Sequence, residues 1–376
     1  MKLSQFDYHL PQELIAQKPI RPRDNSRLMV LDRKKKTIRH DHFYDLPKYL
    51  RPSDILVFNN SKVFPARLLA KKITGGKLEV FLLREQGEFW EGLIGGKVRR
   101  EGMEFVVGQE EKKTRRQKDK KTKRQEGVLR GKIVKKMSEG VWLVKFNKKG
   151  DEFWKIVNKY GQAPTPPYIK KKSNLKEYQT VFAEKLGSVA APTAGFHFSR
   201  TLLRELRNSG ISARGGSAFG REKLKNSDIK MEFITLHVGY GTFQPVKVND
   251  IKKHKMHAEF LEVKKEVIQR LLKYKKEGRR IIAVGTTSVR ALETIMPKFI
   301  GHKPYAISHK LIDTFIYPGY KFKFIDGIIT NFHLPKSTLL MLISAFAGLP
   351  FIKKAYQTAI RKKYRFYSFG DGMLIF

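Results

Sequence analysis

Six short apolar or alternating runs follow one another between Val63 and Phe146, separated by glycines and charged residues. They are Ala66–Lys72, Lys77–Arg84, Phe89–Ile94, Glu104–Val107, Val128–Lys135 and Val141–Phe146. Strands at such short spacing predict a small antiparallel barrel or sandwich. On both sides of this stretch the pattern differs. Arg27–Asp32 and Asp54–Phe58 read as strands, and beyond Asp151 strands alternate with helices. That alternation indicates an α/β layer. The fold class is therefore an α/β main domain with a mixed sheet, built from residues 1–62 and 151–376, plus an inserted small antiparallel β-barrel domain, residues 63–150.

The outer elements carry their own signals. Leu10–Ile15 reads as a short helix with a proline near its start, Glu152–Tyr160 as a helix, and Ser199–Ser209 as a helix capped by Ser199 and stopped by Gly210. Lys230–Val238, Arg280–Val284, Lys323–Phe332 and Tyr367–Phe376 read as strands. Lys264–Lys276, Val289–Met296, Thr338–Ala347 and Phe351–Lys363 read as helices. No internal repeat is visible.

Charge narrows the partners. The net charge is +42, from 77 Lys and Arg against 35 Asp and Glu. Such a surplus attracts polyanions, nucleic acid first among them, unless basicity is a general habit of the proteome. Part of it lies in Glu110–Glu126 (EEKKTRRQKDKKTKRQE), which has nothing apolar to bury and reads as a mobile basic loop. Ala213–Asp228 reads as a second polar loop. With no cysteine, disulfide scaffolds, Cys-ligated zinc, iron–sulfur clusters and thiol nucleophiles are excluded. The longest uncharged apolar stretch, Ser337–Ile352, is shorter than the roughly 20 residues a membrane helix needs. The start, MKLSQFDYHL, lacks the apolar run of a signal peptide. A soluble cytoplasmic protein with no membrane partner is the expectation.

Several strings place chemical groups where an α/β sheet binds ligands, at the carboxyl ends of strands. Ala191–Phe198 (APTAGFHF) sets His197 between aromatics before a helix, either as an acid–base or anion-site histidine or as a loop histidine satisfied by backbone. Thr235–Phe243 (TLHVGYGTF) ends a strand in His237, followed by Gly239 and Gly241, glycines that allow close backbone approach. Ile281–Arg290 (IIAVGTTSVR) runs from a strand through a glycine into a hydroxyl-rich helix start: a cradle for a carboxylate or phosphate, or simply a capped helix. It lacks the lysine of a triphosphate-binding loop. Ile329–Leu339 (ITNFHLPKSTL) offers His333, Lys336 and Ser337 in the same way. Asp313 stands on a strand before a Pro-Gly turn. His254, His257 and Glu259 have a superficial metal-site spacing, but the intervening lysine and the lack of a third histidine argue against a metal.

These strings, in this order, resemble the S-adenosylmethionine:tRNA ribosyltransferase-isomerases of queuosine biosynthesis. The resemblance runs almost end to end. It includes Leu10–Gln17, Arg23–Arg27, Leu56–Asn60, Pro65–Arg67, Gly75–Glu79, Pro166–Ile169, Tyr178–Val181, Ala190–Gly195, Thr235–Gly239, His254–His257, Val284–Arg290, Phe315–Tyr320 and Thr330–Leu339. It implies an α/β domain with an inserted β-barrel. It also implies transfer of the ribosyl part of S-adenosylmethionine to 7-aminomethyl-7-deazaguanine at the wobble position of a tRNA with a GUN anticodon, with isomerisation to epoxyqueuosine. Adenine and methionine leave, so S-adenosylmethionine is a consumed substrate and no cofactor is implied. A monomer is expected.

That chemistry needs a base beside the sulfonium, an acid for the departing adenine and a polar shell for the methionine carboxylate. His197, His237 and His333 are the first candidates, with Asp313 and Glu259 behind them. Thr286, Thr287, Ser288 and Arg290, or Lys336 and Ser337, are candidates for the carboxylate. Arg67, Thr193, Gly195 and Gly239 are further candidate substrate contacts from the matched strings. The chain departs from the family pattern at Asn60, where Asp is usual, and at Phe196 and Tyr240, where Leu is usual. A non-catalytic tRNA-binding relative is the alternative. A methyltransferase is a third reading, disfavoured by the missing Gly-rich loop after a first strand.

Overall fold

The computed structural model describes residues 1–97, 99–108, 127–137, 140–171, 173–208, 229–243 and 246–376. The basic run Glu110–Glu126 and the loop Ala213–Asp228 lie outside the described residues. The chain divides into two compact units, one of residues 1–62, 166–172 and 179–376, the other of residues 63–165 and 173–178.

In chain order the strands of the larger unit begin with β1 (Arg27–Asp32), β2 (Thr37–His42) and β3 (Ile55–Asn59). After β4 (Ser61–Val63) the chain enters the smaller unit, with β5 (Arg67–Lys72), β6 (Lys77–Gln86), β7 (Phe89–Gly95), β8 (Glu104–Val107), β9 (Leu129–Lys136), β10 (Val141–Phe146) and helix α1 (Gly150–Tyr160). The larger unit resumes with β11 (Lys185–Ser188), α2 (Arg200–Arg207), β12 (Lys230–His237), β13 (Glu259–Val263), α3 (Lys265–Lys276), β14 (Ile281–Val284) and α4 (Thr286–Ile295). It ends with β15 (Ile307–Ile312), β16 (Gly327–Asn331), α5 (Thr338–Ala347), α6 (Leu349–Arg361) and β17 (Gly372–Ile375).

The smaller unit is the closed barrel β10-β7-β6-β5-β8-β9, all pairs antiparallel. Each of the six runs read from the sequence is one of its strands. The alternation arises because every second residue points inward, as in β10, where Trp142, Val144 and Phe146 are buried. Gly131 makes room for a barrel ring, since a Cβ there would lie 2.3 Å from Phe105. Helix α1 belongs to this unit and buries Phe153, Ile156 and Val157, with Phe153 stacked on Trp90.

The larger unit is built on a nine-stranded mixed sheet, ordered β15-β13-β12-β3-β14-β16-β17-β1-β2. β12, β3, β14 and β16 run parallel, while β17 runs against β16 and beside β1. Alternate residues separate the two faces. Ile55, Val57, Ile281, Ala283 and Ile328 pack with α3, α4, α5 and α6, whereas Leu56, Phe58, Ile282, Val284 and Ile329 pack with α2 and Phe43. Both faces are covered, so the central strands are continuously apolar. Among the described residues no single helix is long and apolar enough to cross a membrane. α5 and α6 are bent by 115° to one another and pack into the core.

Two expected strands are shorter than read, for different reasons. The stretch Lys323–Ile325 offers its backbone N–H groups to the buried Glu293 carboxylate, at 2.9 Å each, so β16 starts only at Gly327. Tyr367–Asp371 turns instead of extending, with Tyr367 at φ 69° and the Asp371 carboxylate capping the N–H groups of Arg27 and Arg365. Replacing Glu293 with alanine strands two buried donors, at Phe324 and Ile325, and a part-buried one at Lys323. We expect a loss of about 3 kcal/mol or more by chemical denaturation; a loss under about 1 kcal/mol would mean another acceptor takes over.

Candidate functional site: a cleft at the carboxyl ends of the parallel strands

Because β12, β3, β14 and β16 are parallel, their carboxyl ends lie along one edge of the sheet. The reversed strands contribute their starts to the same edge: Gly372 of β17 pairs with Asn331 of β16 and with Leu28 of β1. A cleft opens there, lined by Tyr168, Ala190–Ala194, Val238, Gly285–Thr287, Thr330–Leu334, Leu339, Tyr367 and Ser368. About 610 Å³ of space lies between its walls, the open mouth included.

Three of the sequence strings meet in this cleft: residues 190–194, 285–287 and 330–334. Gly285 leaves β14 at φ 90°, a conformation that suits glycine, and serves as N-cap of α4 without a side-chain cap. The first N–H groups of α4 are therefore uncapped at the cleft. Thr287 Oγ1 is buried there and has no hydrogen-bond partner among the described residues. An unpartnered buried hydroxyl next to an uncapped helix start is an arrangement that a ligand anion completes.

His333 is the histidine of the cleft wall. Its Nε2 lies 2.9 Å from Thr330 Oγ1. Its backbone is held from both sides: the N–H donates to Tyr356 Oη at 2.8 Å, and Tyr8 Oη donates to the carbonyl. Burial pushes the imidazole down to about 3, so it is neutral. His197 stands one layer behind. Its Nδ1 lies 2.7 Å from Ser26 Oγ and its Nε2 3.1 Å from Asn331 Nδ2. It stacks on Phe43 with ring centres 4.7 Å apart. Burial, then the charges of Arg365 and Arg23, push it down to about 3. Asn331 in turn accepts from Thr193 Oγ1 at 3.1 Å and donates to the Tyr367 carbonyl.

The remaining candidates are distributed more widely. Thr193, Thr286 and Thr287 line the cleft. Gly195 lies behind it, where a Cβ would meet Phe182 at 2.6 Å. Ser288 donates to the Val284 carbonyl at the end of β14. Arg290 is buried against Glu259 and donates to the Thr314 carbonyl, while Glu259 also accepts from the Gly239 N–H. His237 ends β12 and lies against Gly187, where a Cβ would come within 2.7 Å of its ring. Asp313 is exposed one residue beyond β15, rather than on the strand. Lys336 pairs with Asp7 at 2.6 Å, and Ser337 caps α5. Arg67 belongs to the barrel unit, paired with Glu79 at 2.7 Å and donating to the Thr165 carbonyl. His254 is edge-on to Phe315, and its pKa is lowered by burial and by His257. Sequence reasoning missed Ser26, Asn331, Tyr168, Ser368, Tyr8 and Tyr356. All but Ser368 and Tyr356 sit in or beside matched strings, so proximity to those strings was the available signal.

Comparison with known proteins gives one consistent result. A family model described as "Queuosine biosynthesis protein" matches residues 3–214 and 219–375. A protein of Aquifex aeolicus named S-adenosylmethionine:tRNA ribosyltransferase-isomerase is 45% identical over 379 aligned residues, covering 100% of both chains. The proteins of that name from Thermosipho africanus and Thermotoga maritima are 47% and 43% identical, again over 100% of both chains. The crystal structure of the S-adenosylmethionine tRNA ribosyltransferase of Thermotoga maritima covers 99% of this chain and 100% of its own, with a TM-score of 0.51 at 34% identity.

Proposed function

Since this chain belongs to the queuosine biosynthesis protein family, we propose that it is an S-adenosylmethionine:tRNA ribosyltransferase-isomerase. It moves the ribosyl moiety of S-adenosylmethionine onto 7-aminomethyl-7-deazaguanine at the wobble position of a tRNA with a GUN anticodon, and isomerises it to epoxyqueuosine. Adenine and methionine are released. S-adenosylmethionine is consumed as a substrate, and the reaction calls for no further cofactor. The protein acts as a monomer in the cytoplasm.

One observation supports placing the reaction in the cleft: the unpartnered Thr287 hydroxyl beside the uncapped start of α4. In this reading the methionine carboxylate takes those donors, with Thr286 beside them. His333, neutral and on the facing wall, accepts the proton from the ribose carbon next to the sulfonium. With Thr330 Oγ1 accepting from Nε2–H, Nδ1 is the atom with the free lone pair. His197 does not line the cleft; it positions Asn331, which holds Thr193.

The test is product analysis. The purified protein is incubated with S-adenosylmethionine and tRNA bearing the aminomethyl-deazaguanine, and both pools are read by mass spectrometry. We expect adenine and methionine in solution, with a matching mass gain on the tRNA. S-adenosylhomocysteine would mean methyl transfer. Tight tRNA binding without adenine would mean a binding-only relative.

A further inference from the structure

A second, smaller crevice lies beside the cleft and shares Ser368 with it. About 200 Å³ of space lies between its walls, the open mouth included, and it is lined in part by Arg23, Arg365, Phe196, Phe369 and His197. Phe196, one of the positions where this chain departs from the family pattern, stacks on Phe369 with centres 5.8 Å apart. The Arg23 guanidinium sits 5.1 Å over the Phe196 ring and donates to the Gln179 carbonyl at 2.6 Å, so its place is fixed by the fold. Arg365 donates to the Lys18 carbonyl, and its Nη2 has no hydrogen-bond partner among the described residues. The neighbouring acid, Asp371, does not cancel this charge cleanly. It lies 3.5 Å from Arg365 Nε, but its oxygens already accept from two backbone N–H groups.

Both guanidiniums line the same crevice as His197, and both push its imidazole toward the neutral form. The rim is also cationic. Lys18, Arg21, Lys170 and Lys171 are exposed, and the Lys170 N–H is tied to Gln17 next to Lys18. Two forked guanidiniums at fixed positions match the geometry of a phosphate rather than a point anion. The exposed cations beyond them extend further than one small anion needs, which favours a chain of phosphates.

We propose that Arg23 and Arg365 hold a phosphodiester of the tRNA strand next to the nucleotide that enters the cleft. The site rests on the tRNA-modifying function inferred above. Phosphate contacts of this kind set register and orientation, while the cleft reads the base.

The test uses the full chain, an anticodon stem-loop RNA and S-adenosylmethionine, with Arg23→Gln and Arg365→Gln made separately. RNA binding is followed by fluorescence anisotropy over a salt series. S-adenosylmethionine binding is followed by calorimetry without RNA, and folding by thermal melting. Each variant is expected to weaken RNA binding about tenfold and to lower the salt slope by about one. Affinity for S-adenosylmethionine is expected to stay at the parent value. Unchanged RNA affinity in the folded variants overturns the proposal. So does loss of inorganic phosphate binding with RNA affinity intact, which would mark a free-anion site. If Arg365→Gln does not fold, Arg23→Gln alone decides. If the parent binds RNA in this salt-dependent, arginine-dependent way yet releases no adenine, the reaction assignment fails and the phosphate site stands.

Discussion

Replacing His333 with alanine is expected to slow adenine release by about 10²- to 10⁴-fold, the range for losing a positioned acid–base group. Among the described residues lining the cleft it is the one histidine, and burial keeps it in the neutral form, which can accept a proton. Its backbone is pinned by Tyr8 and Tyr356, so truncation of the ring leaves the peptide in place. Affinity for S-adenosylmethionine should change little, because the proposed carboxylate donors lie across the cleft on α4. Single-turnover adenine release, measured beside calorimetric binding, separates the two effects. A variant that keeps its rate within about threefold removes His333 from the mechanism. A pH profile adds a second readout: with the imidazole at about 3 in the folded chain, the rate should show no acid limb near the ordinary histidine value of 6.5.

Taking the protein from pH 7 to pH 5 is expected to remove about 4 kcal/mol of folding stability, roughly 2 from each of His197 and His333. Both imidazoles are held at about 3 when folded, against the ordinary histidine value of 6.5. Between those values the unfolded chain binds more protons than the folded one, so stability falls as the pH falls. It is fully present above the unfolded value. His40 and His254 are shifted the same way and add to the effect. Urea titrations at pH 7, 6 and 5 measure the slope. His197→Asn should roughly halve the steepness contributed by the pair, whatever its stability at pH 7. An identical slope in parent and variant would show that His197 is not the source.

What the sequence revealed and what it hid follow from where the information lies. The barrel was readable because every strand buries alternate side chains, a local pattern that needs no knowledge of partners. The central strands β3, β14 and β16 were readable because both faces of the sheet are covered. β13 was overshadowed by the charged string before it, although its alternation EFLEV is visible once the sheet is known. The late start of the strand expected at 323–332 was hidden, because it depends on a carboxylate on α4. The site shows the same division. The cleft strings at residues 190–194, 285–287 and 330–334 could be found individually. That Ser26 and Ser368 border the same histidine layer depends on β1 and β17 lying side by side.

Asn60 illustrates the limit most directly. As a departure from the Asp that the resemblance leads one to expect, it raises a question about activity. In the fold its Nδ2 donates to Glu184 Oε2 at 3.0 Å, and its Oδ1 accepts from Thr235 Oγ1 at 2.7 Å. An aspartate here would place a second carboxylate against Glu184, a like-charge contact. The amide is thus the residue that suits this neighbour, and it stands outside the cleft lining. Glu184 is 124 positions away in the chain, so no local reading could supply it.

The place of β17 has a consequence for how the protein is made. This strand lies in the interior of the sheet, between β16 and β1. The N–H of Arg27 at the start of β1 is capped by Asp371, 344 positions later. At ordinary synthesis rates β1 waits roughly 20 to 70 s before that partner exists. Until then the sheet has an open seam, and one wall of the cleft, with Tyr367 and Ser368, is missing. On the ribosome, an incomplete chain therefore carries most of the cleft's groups but lacks one of its walls.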